Sequence, residues 1–196
     1  MGDKIRIVLA SSSPRRDGIL NQLGLEHVTV PSEIDERSIK EKAPRAYAKK
    51  LAVLKASKVA PGFKDSIVIG ADTLVITDNK VFGKPKDKED AVRMLGELSG
   101  RTHRVITALC VIDTRSNERI VKLVSTSVRF RKLDNQTIKE YVGSGEPLGK
   151  AGAYAIQGRG AALVESINGD FYNVVGLPVP ALMGILERLH ASPRSR

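Results

Sequence analysis

Two adjacent arginines, Arg15 and Arg16, follow three serines and a proline in the stretch IVLASSSPRRDGIL, residues 7–20. Backbone N–H groups at a helix start carry partial positive charge, so each cation placed there is unfavourable by roughly 0.3–1 kcal/mol unless an anion offsets it. Ser11 and its neighbours, N–H donors and two guanidinium groups together make an anion site best suited to phosphate. Lys55 in LAVLKA and Lys84 in FGKP add cations; Glu36 in EIDE and Asp72 in VIGAD add carboxylates. Asp72 follows an apolar run that reads as a buried strand, a poor place for a charge whose only task is solubility. Asp72 and Glu36 together offer oxygen ligands for a divalent cation, since magnesium commonly binds one or two carboxylates plus substrate phosphates. The plainer readings are solvated arginines, a solvated Glu36, and an Asp72 that caps a turn through Thr73.

The elements that must position these groups alternate between strand-like and helical. Ile5 to Ala10 reads as a short strand, and Ser13-Pro14 opens a helix that ends at Gly24, with Ser13 as its N-cap. EHVTV is a second strand. A helix starts at Pro44 and ends at Pro61-Gly62, with Tyr47, Leu51, Leu54 and Val59 along its apolar face. SIVIGAD is a strand ending on Asp72, where Gly70 permits close approach of another group. TLVIT, TDNK and VFGKP suggest a hairpin, and Asp87 caps a helix closed by Gly100. Two long strands flank TRSNE, Asp134 caps a helix reaching Tyr141, the glycine-rich stretch from Gly143 to Val179 reads as strand-like, and a last helix runs from Val179 to His190. The class is α/β. Residues 1–190 read as a single domain and 191–196, ASPRSR, as a disordered tail.

Bulk composition narrows the partners. A net charge of +10 favours polyanions, but aromatic residues are only 4% of the chain and Trp is absent, which leaves few stacking platforms for nucleic acid. One cysteine, Cys110, in VITALCVI, excludes an internal disulfide and reads as core filling. No segment has signal-peptide character or membrane-spanning length, so the expectation is a soluble cytoplasmic protein without a membrane partner. A homodimer is the base-rate expectation.

VLASSSPRR, EIDE, LAVLKA, VIGADT, GKP, LSGRTHRVIT, YVGSGEP, KAGAYAIQG and NGDFYNVVGLP occur in the order of the Maf family of nucleoside triphosphate pyrophosphatases, and the chain resembles that family over nearly its whole length. The resemblance implies an elongated mixed-sheet fold related to the inosine triphosphatases, with two lobes around a central cleft. It implies cleavage of a nucleoside triphosphate substrate to monophosphate and pyrophosphate with a divalent metal, Mg or Mn. By that resemblance Asp72 is catalytic, Asp72 and Glu36 hold the metal, and Ser11, Arg15, Arg16, Lys55 and Lys84 bind phosphates. Arg15, Thr73 and Gln157 match the selectivity pattern of the dTTP/UTP branch rather than the Trp, Gln and Glu of the 7-methyl-GTP branch. A Gln amide offers the donor and acceptor that a uracil or thymine edge requires. One position departs: Gly149 stands where the family usually has Asp before Lys-Ala-Gly. The alternative reading is therefore a catalytically weak, nucleotide-responsive regulator or nucleic-acid-binding protein linked to septum formation.

Overall fold

A computed structural model of the chain describes residues 5–77 and 80–191. The tail expectation falls mostly on 192–196, which lie outside the described residues, as do Asp78 and Asn79 of the expected turn. The α/β expectation holds. Seven strands form one mixed sheet in the order β2-β1-β3-β5-β6-β7, with β4 paired to β3. The strands are β1 (Arg6–Leu9), β2 (His27–Thr29), β3 (Ser66–Thr77), β4 (Lys80–Phe82), β5 (Thr102–Asp113), β6 (Glu118–Phe130) and β7 (Val164–Asn168). The helices are α1 (Pro14–Gln22), α2 (Pro44–Val59), α3 (Lys88–Leu98), α4 (Asn135–Gly143), α5 (Phe171–Val175) and α6 (Val179–Arg188).

The chain forms two compact units. The first comprises residues up to Asp72, Thr107–Val124 and the chain from Gly176; the second comprises Thr73–Ile106 and Ser125–Val175. In the first, β1 lies parallel to β2 on one side and to β3 on the other, with Leu9 opposite both Thr29 and Ile69. Its core includes Val8, Leu9, Leu20, Leu51, Ile67, Ile69, Leu109 and Leu186, all essentially inaccessible. Cys110 belongs to this core, and burial pushes its thiol up to about 11. In the second unit, β3 turns into β4, with Val75 opposite Phe82. There His103, Phe130 and Tyr154 pack edge to face, with ring centroids 4.8–5.4 Å apart.

One local expectation is refined and two are corrected. Ser13 occupies the N-cap of α1, but its side chain makes no capping hydrogen bond; proline at the first helical position supplies the helical φ. β3 does not stop at Asp72 but continues to Thr77, because β4 takes up its far end. The glycine-rich segment after α4 forms short 3₁₀ turns at Ala151–Ala153 and Arg159–Leu163, the single strand β7, and α5, not a run of strands. Its many glycines take positive φ, including Gly149, Gly152 and Gly158, and break the extended pattern. Among the described residues, no helix is long and apolar enough to cross a membrane.

Candidate functional site

In the first unit, Ser11 and Asp72 lie past the carboxyl ends of two paired strands. From β1 the chain leaves through α1 to β2 on one side, then returns through α2 to β3 on the other. Parallel α/β sheets bind ligands at such a reversal, outside the carboxyl ends of the strands. The β1–β3 pairing ends at Leu9 and Ile69, so Ser11 follows one partner and Asp72 lies just past the paired segment of the other. The strand end that the sequence placed at Asp72 is in the structure the end of the β1–β3 pairing.

Ser11 and Arg16 are brought together. Ser11 Oγ accepts from Ser13 N–H at 3.1 Å and from Arg16 Nη1 at 3.2 Å. Arg16 Nε donates to Gly176 O at 2.8 Å, and only 9% of the residue is exposed. Its burial depresses the guanidinium pKa, opposed by the charge of Asp72. Arg15, next to it in the first turn of α1, is half-buried.

Lys55, Glu36 and Asp72 form a second cluster. Lys55 Nζ donates to Asp72 Oδ1 at 2.8 Å and lies 2.7 Å from Glu36 Oε1, bridging the two carboxylates. The glycine two residues before Asp72 explains this geometry. Successive residues of a strand alternate faces, so Gly70 and Asp72 share one. A Cβ on Gly70 would stand 2.4 Å from Ala52 O and 2.7 Å from Ala56 N, so the group that approaches its backbone is helix α2 itself. Ala48, Ala52 and Ala56 are fully buried along α2, and this close approach carries Lys55 to Asp72. Burial raises the Asp72 pKa and the Glu36 charge adds to that, against the opposing pull of Lys55 and Arg16. Asp72 Oδ2 is buried with no hydrogen-bond partner.

Sequence reasoning missed one support in each cluster. Tyr47 Oη donates to Glu36 O at 3.2 Å and holds the 3₁₀ turn Glu36–Ser38; burial and the Glu36 and Asp72 charges raise its pKa. In the sequence Tyr47 is indistinguishable from a core position, because it falls on the apolar stripe of α2. Gly176, the carbonyl partner of Arg16, is 160 residues away and carries no local signal.

Thr73, Lys84 and Gln157 belong to the second unit. Thr73 directly follows Asp72 on β3 and is half-buried; Lys84 is exposed after β4; Gln157 is half-buried in the loop after Ile156. Gly152 N–H donates to Gly83 O at 3.0 Å, which ties the Lys84 loop to the turn that begins at Lys150. At the departing position, Gly149 adopts φ +74° and a Cβ there would meet no atom within 4 Å. An Asp would find space but a left-handed backbone that disfavours it.

The chain is similar in sequence to known proteins over most of its length. A relative from Syntrophotalea carbinolica, named dTTP/UTP pyrophosphatase, is 48% identical over 187 residues, covering 94% of this chain and 85% of its own. An Aquifex aeolicus protein of the same name is 48% identical, covering 95% of this chain and 96% of its own. One from Symbiobacterium thermophilum, again so named, is 47% identical, covering 93% of each chain. The Staphylococcus aureus Ham1 protein superposes on 64% of this chain and 71% of its own, with a TM-score of 0.44 and 14% identity. The Maf-like protein model matches residues 6–189, and on that match, with relatives this similar over nearly their full lengths, the chain belongs to the Maf-like protein family.

Proposed function

We propose that this chain hydrolyses dTTP and UTP, and modified pyrimidine nucleotides of similar shape, to the nucleoside monophosphate and pyrophosphate. The observation that carries the reading is Asp72 Oδ2, a buried carboxylate oxygen without a hydrogen-bond partner, on a group whose other oxygen is fixed by Lys55. Structural carboxylates are satisfied; one left open and shifted upward in pKa is suited to accept a proton.

The residues present fit a divalent cation. Asp72 and Glu36 are hard oxygen donors set side by side on Lys55, and neighbouring carboxylates of this kind suit a divalent cation. Among the described residues there is no group of three or more His, Cys, Asp or Glu that could hold a metal, so Asp72 and Glu36 would share Mg or Mn with substrate phosphates. Bound there, such a cation offsets phosphate charge and makes coordinated water more acidic.

The protein groups then have distinct tasks. Arg16, oriented by Gly176 O and Ser11 Oγ, neutralises phosphate oxygens together with Arg15, Lys55 and Lys84. Lys55 holds Asp72 Oδ1, so Oδ2 accepts the proton of the attacking water. The new P–O bond forms on one phosphorus flanking the α,β bridge as the P–O bond from that phosphorus to the bridging oxygen breaks, and the chain separates into nucleoside monophosphate and pyrophosphate. Arg15, Thr73 and Gln157 read the pyrimidine. With nucleoside triphosphates as substrates, the cytoplasm is the proposed compartment.

Pyrophosphate release with Mg²⁺ or Mn²⁺, measured across dTTP, UTP, CTP, dATP, GTP, ITP and 7-methyl-GTP, tests this. Fast release from dTTP and UTP that disappears in Asp72→Asn supports the assignment. A protein whose melting temperature rises with nucleotide while every nucleotide stays intact is a regulator instead, and Gly149 becomes the first position to change.

A further inference from the structure

The loop that carries Gln157 is anchored by two side chains. Tyr141 Oη accepts from Ala155 N–H at 3.1 Å and donates to Glu146 Oε1 at 2.9 Å. Glu146 Oε1 also accepts from Gly160 N–H at 2.9 Å, and Oε2 from Arg159 N–H at 3.1 Å. One phenol and one carboxylate thereby fix backbone N–H groups on both sides of Gln157. The glycines in the loop are there for the same reason. A Cβ on Gly158, which has φ +86°, would meet Glu146 Oε2 at 2.8 Å, and one on Gly160 would meet Ala155 O at 2.2 Å and Tyr141 Oη at 2.6 Å. Burial works to raise the Glu146 pKa, but the N–H groups of Gly160 and Arg159, the Tyr141 hydroxyl and the Lys150 charge hold it below the usual value. The anchor is therefore ionised at neutral pH, where its hydrogen bonds are strongest.

An anchored loop matters because an amide side chain is ambiguous. Turned over, a Gln amide exchanges donor for acceptor and suits cytosine as well as uracil or thymine. Fixing the backbone before and after Gln157 narrows the orientations its amide can take. We infer that Glu146, acting with Tyr141, is a positioning residue for base selection: it holds the Ala155–Gly160 loop so that Gln157 favours uracil and thymine over cytosine. The inference rests on the proposed role of Gln157.

The test compares wild type, Glu146→Gln, Tyr141→Phe and Gln157→Ala by kcat and KM for UTP and CTP, with amide hydrogen exchange at residues 155–160 measured alongside. Glu146→Gln presents an amide N–H₂ to N–H groups that need an acceptor. Its UTP-over-CTP ratio of kcat/KM is expected to fall about tenfold, mainly through KM, as exchange in the loop quickens. The kcat on UTP stays within about threefold of wild type, a split that general damage to the fold does not produce. Tyr141→Phe removes one hydroxyl and moves the same readouts in the same direction by less, so it carries the test if Glu146→Gln folds poorly. If Gln157→Ala lowers the ratio while both anchor variants keep it, the positioning role is overturned and the base-reading role of Gln157 stands. If Gln157→Ala leaves the ratio unchanged, base reading by Gln157 falls and this inference falls with it.

Discussion

Helices in the first unit begin on proline, and those in the second begin on aspartate. In α1, α2 and α6 a proline occupies the first or second position, and Ser13, Ala43 and Pro178 make no side-chain capping bond. In α3 and α4, Asp87 and Asp134 accept from Asp90 N–H and Thr137 N–H, each at 2.7 Å, and ahead of α5 Asp170 accepts from Tyr172 N–H at 2.8 Å. Either device starts a helix, one by presetting φ and the other by satisfying an N–H group. They differ in charge. A carboxylate cap on α1 would bring negative charge to the helix end that carries Arg15 and Arg16. The first-turn acid of that helix, Asp17, is instead bonded to His27, Thr29 and Asn21. In the second unit Asp87, Asp134, Asp170 and Glu146 hold backbone N–H groups, whereas Asp72 and Glu36 in the first are bridged by Lys55. These second-unit acids serve as scaffolding, whereas the Asp72–Glu36 pair of the first unit is proposed to act on substrate.

Removing a reagent should abolish activity without harming the fold. Asp72→Asn is expected to lose about three decades in kcat, the usual size for a general base. Its stability should run the other way. Burial raises the folded pKa of Asp72 above its ordinary 3.8, so between those values the native state binds more protons than the unfolded one. Stability contributed by this group therefore falls as pH rises through the window, and an uncharged Asn escapes the cost. Denaturant titration at pH 8 should find the variant at least as stable as wild type. A clear loss of stability in Asp72→Asn would make the residue scaffolding and erase the contrast between the units.

The second unit has a titratable weakness of its own. His103 is 2% exposed, its Nε2 lies 2.9 Å from Tyr154 Oη, and burial lowers its pKa to about 4 from 6.5. The unfolded state takes up a proton below 6.5 that the native state refuses, so stability is lost as pH falls from 6.5 toward 4, by about 3 kcal/mol in full. Unfolding free energies at pH 7.5 and 4.5 should differ by about that much more in wild type than in His103→Gln.

Close packing gives the next largest effect. Gly70→Ala drives a methyl into the backbone of α2 at Ala52 and Ala56, an overpacking cost of about 1–3 kcal/mol. Because α2 also carries Lys55 to Asp72, melting temperature and kcat should fall together, unlike in Asp72→Asn. Unchanged kcat would show that the Lys55 bridge tolerates a displaced helix.

These contrasts also explain what the sequence could and could not reveal. The caps Asp87 and Asp134 are legible because an acid before an amphipathic run has one common use, and both occur as read. The long strands around TRSNE are legible because their alternation is sustained over 12 and 13 residues. Arg16 and Asp72 stand out as charges in places where charge is unfavourable, while Ser11, Glu36 and Lys55 are pointed to by the family resemblance; all five fall in one unit. Tyr47 and Gly176 do not stand out, since an aromatic on an apolar stripe and a glycine before a proline-rich helix start are locally ordinary. Glu146 is equally silent: its bonds reach residues 13 and 14 positions away through their backbones, which any sequence supplies.

The finest test exchanges the two ways of starting a helix. Asp134→Ala removes the bond to Thr137 N–H and should cost about 1 kcal/mol, a drop of roughly 2–4 °C in melting temperature. Ser13→Ala removes no capping bond and should stay within about 0.5 kcal/mol of wild type. Ser13→Asp then separates stability from charge. It gives α1 an acceptor for its free-end N–H groups and should raise the melting temperature, yet it sets a carboxylate beside Arg15 and Arg16 and should raise KM for UTP several-fold, the equivalent of roughly 0.3–1 kcal/mol. The two quantities move in opposite senses only if the start of α1 is kept free of negative charge for the triphosphate. A Ser13→Asp variant that melts higher and binds UTP as well as wild type would show that proline starts α1 for local reasons alone.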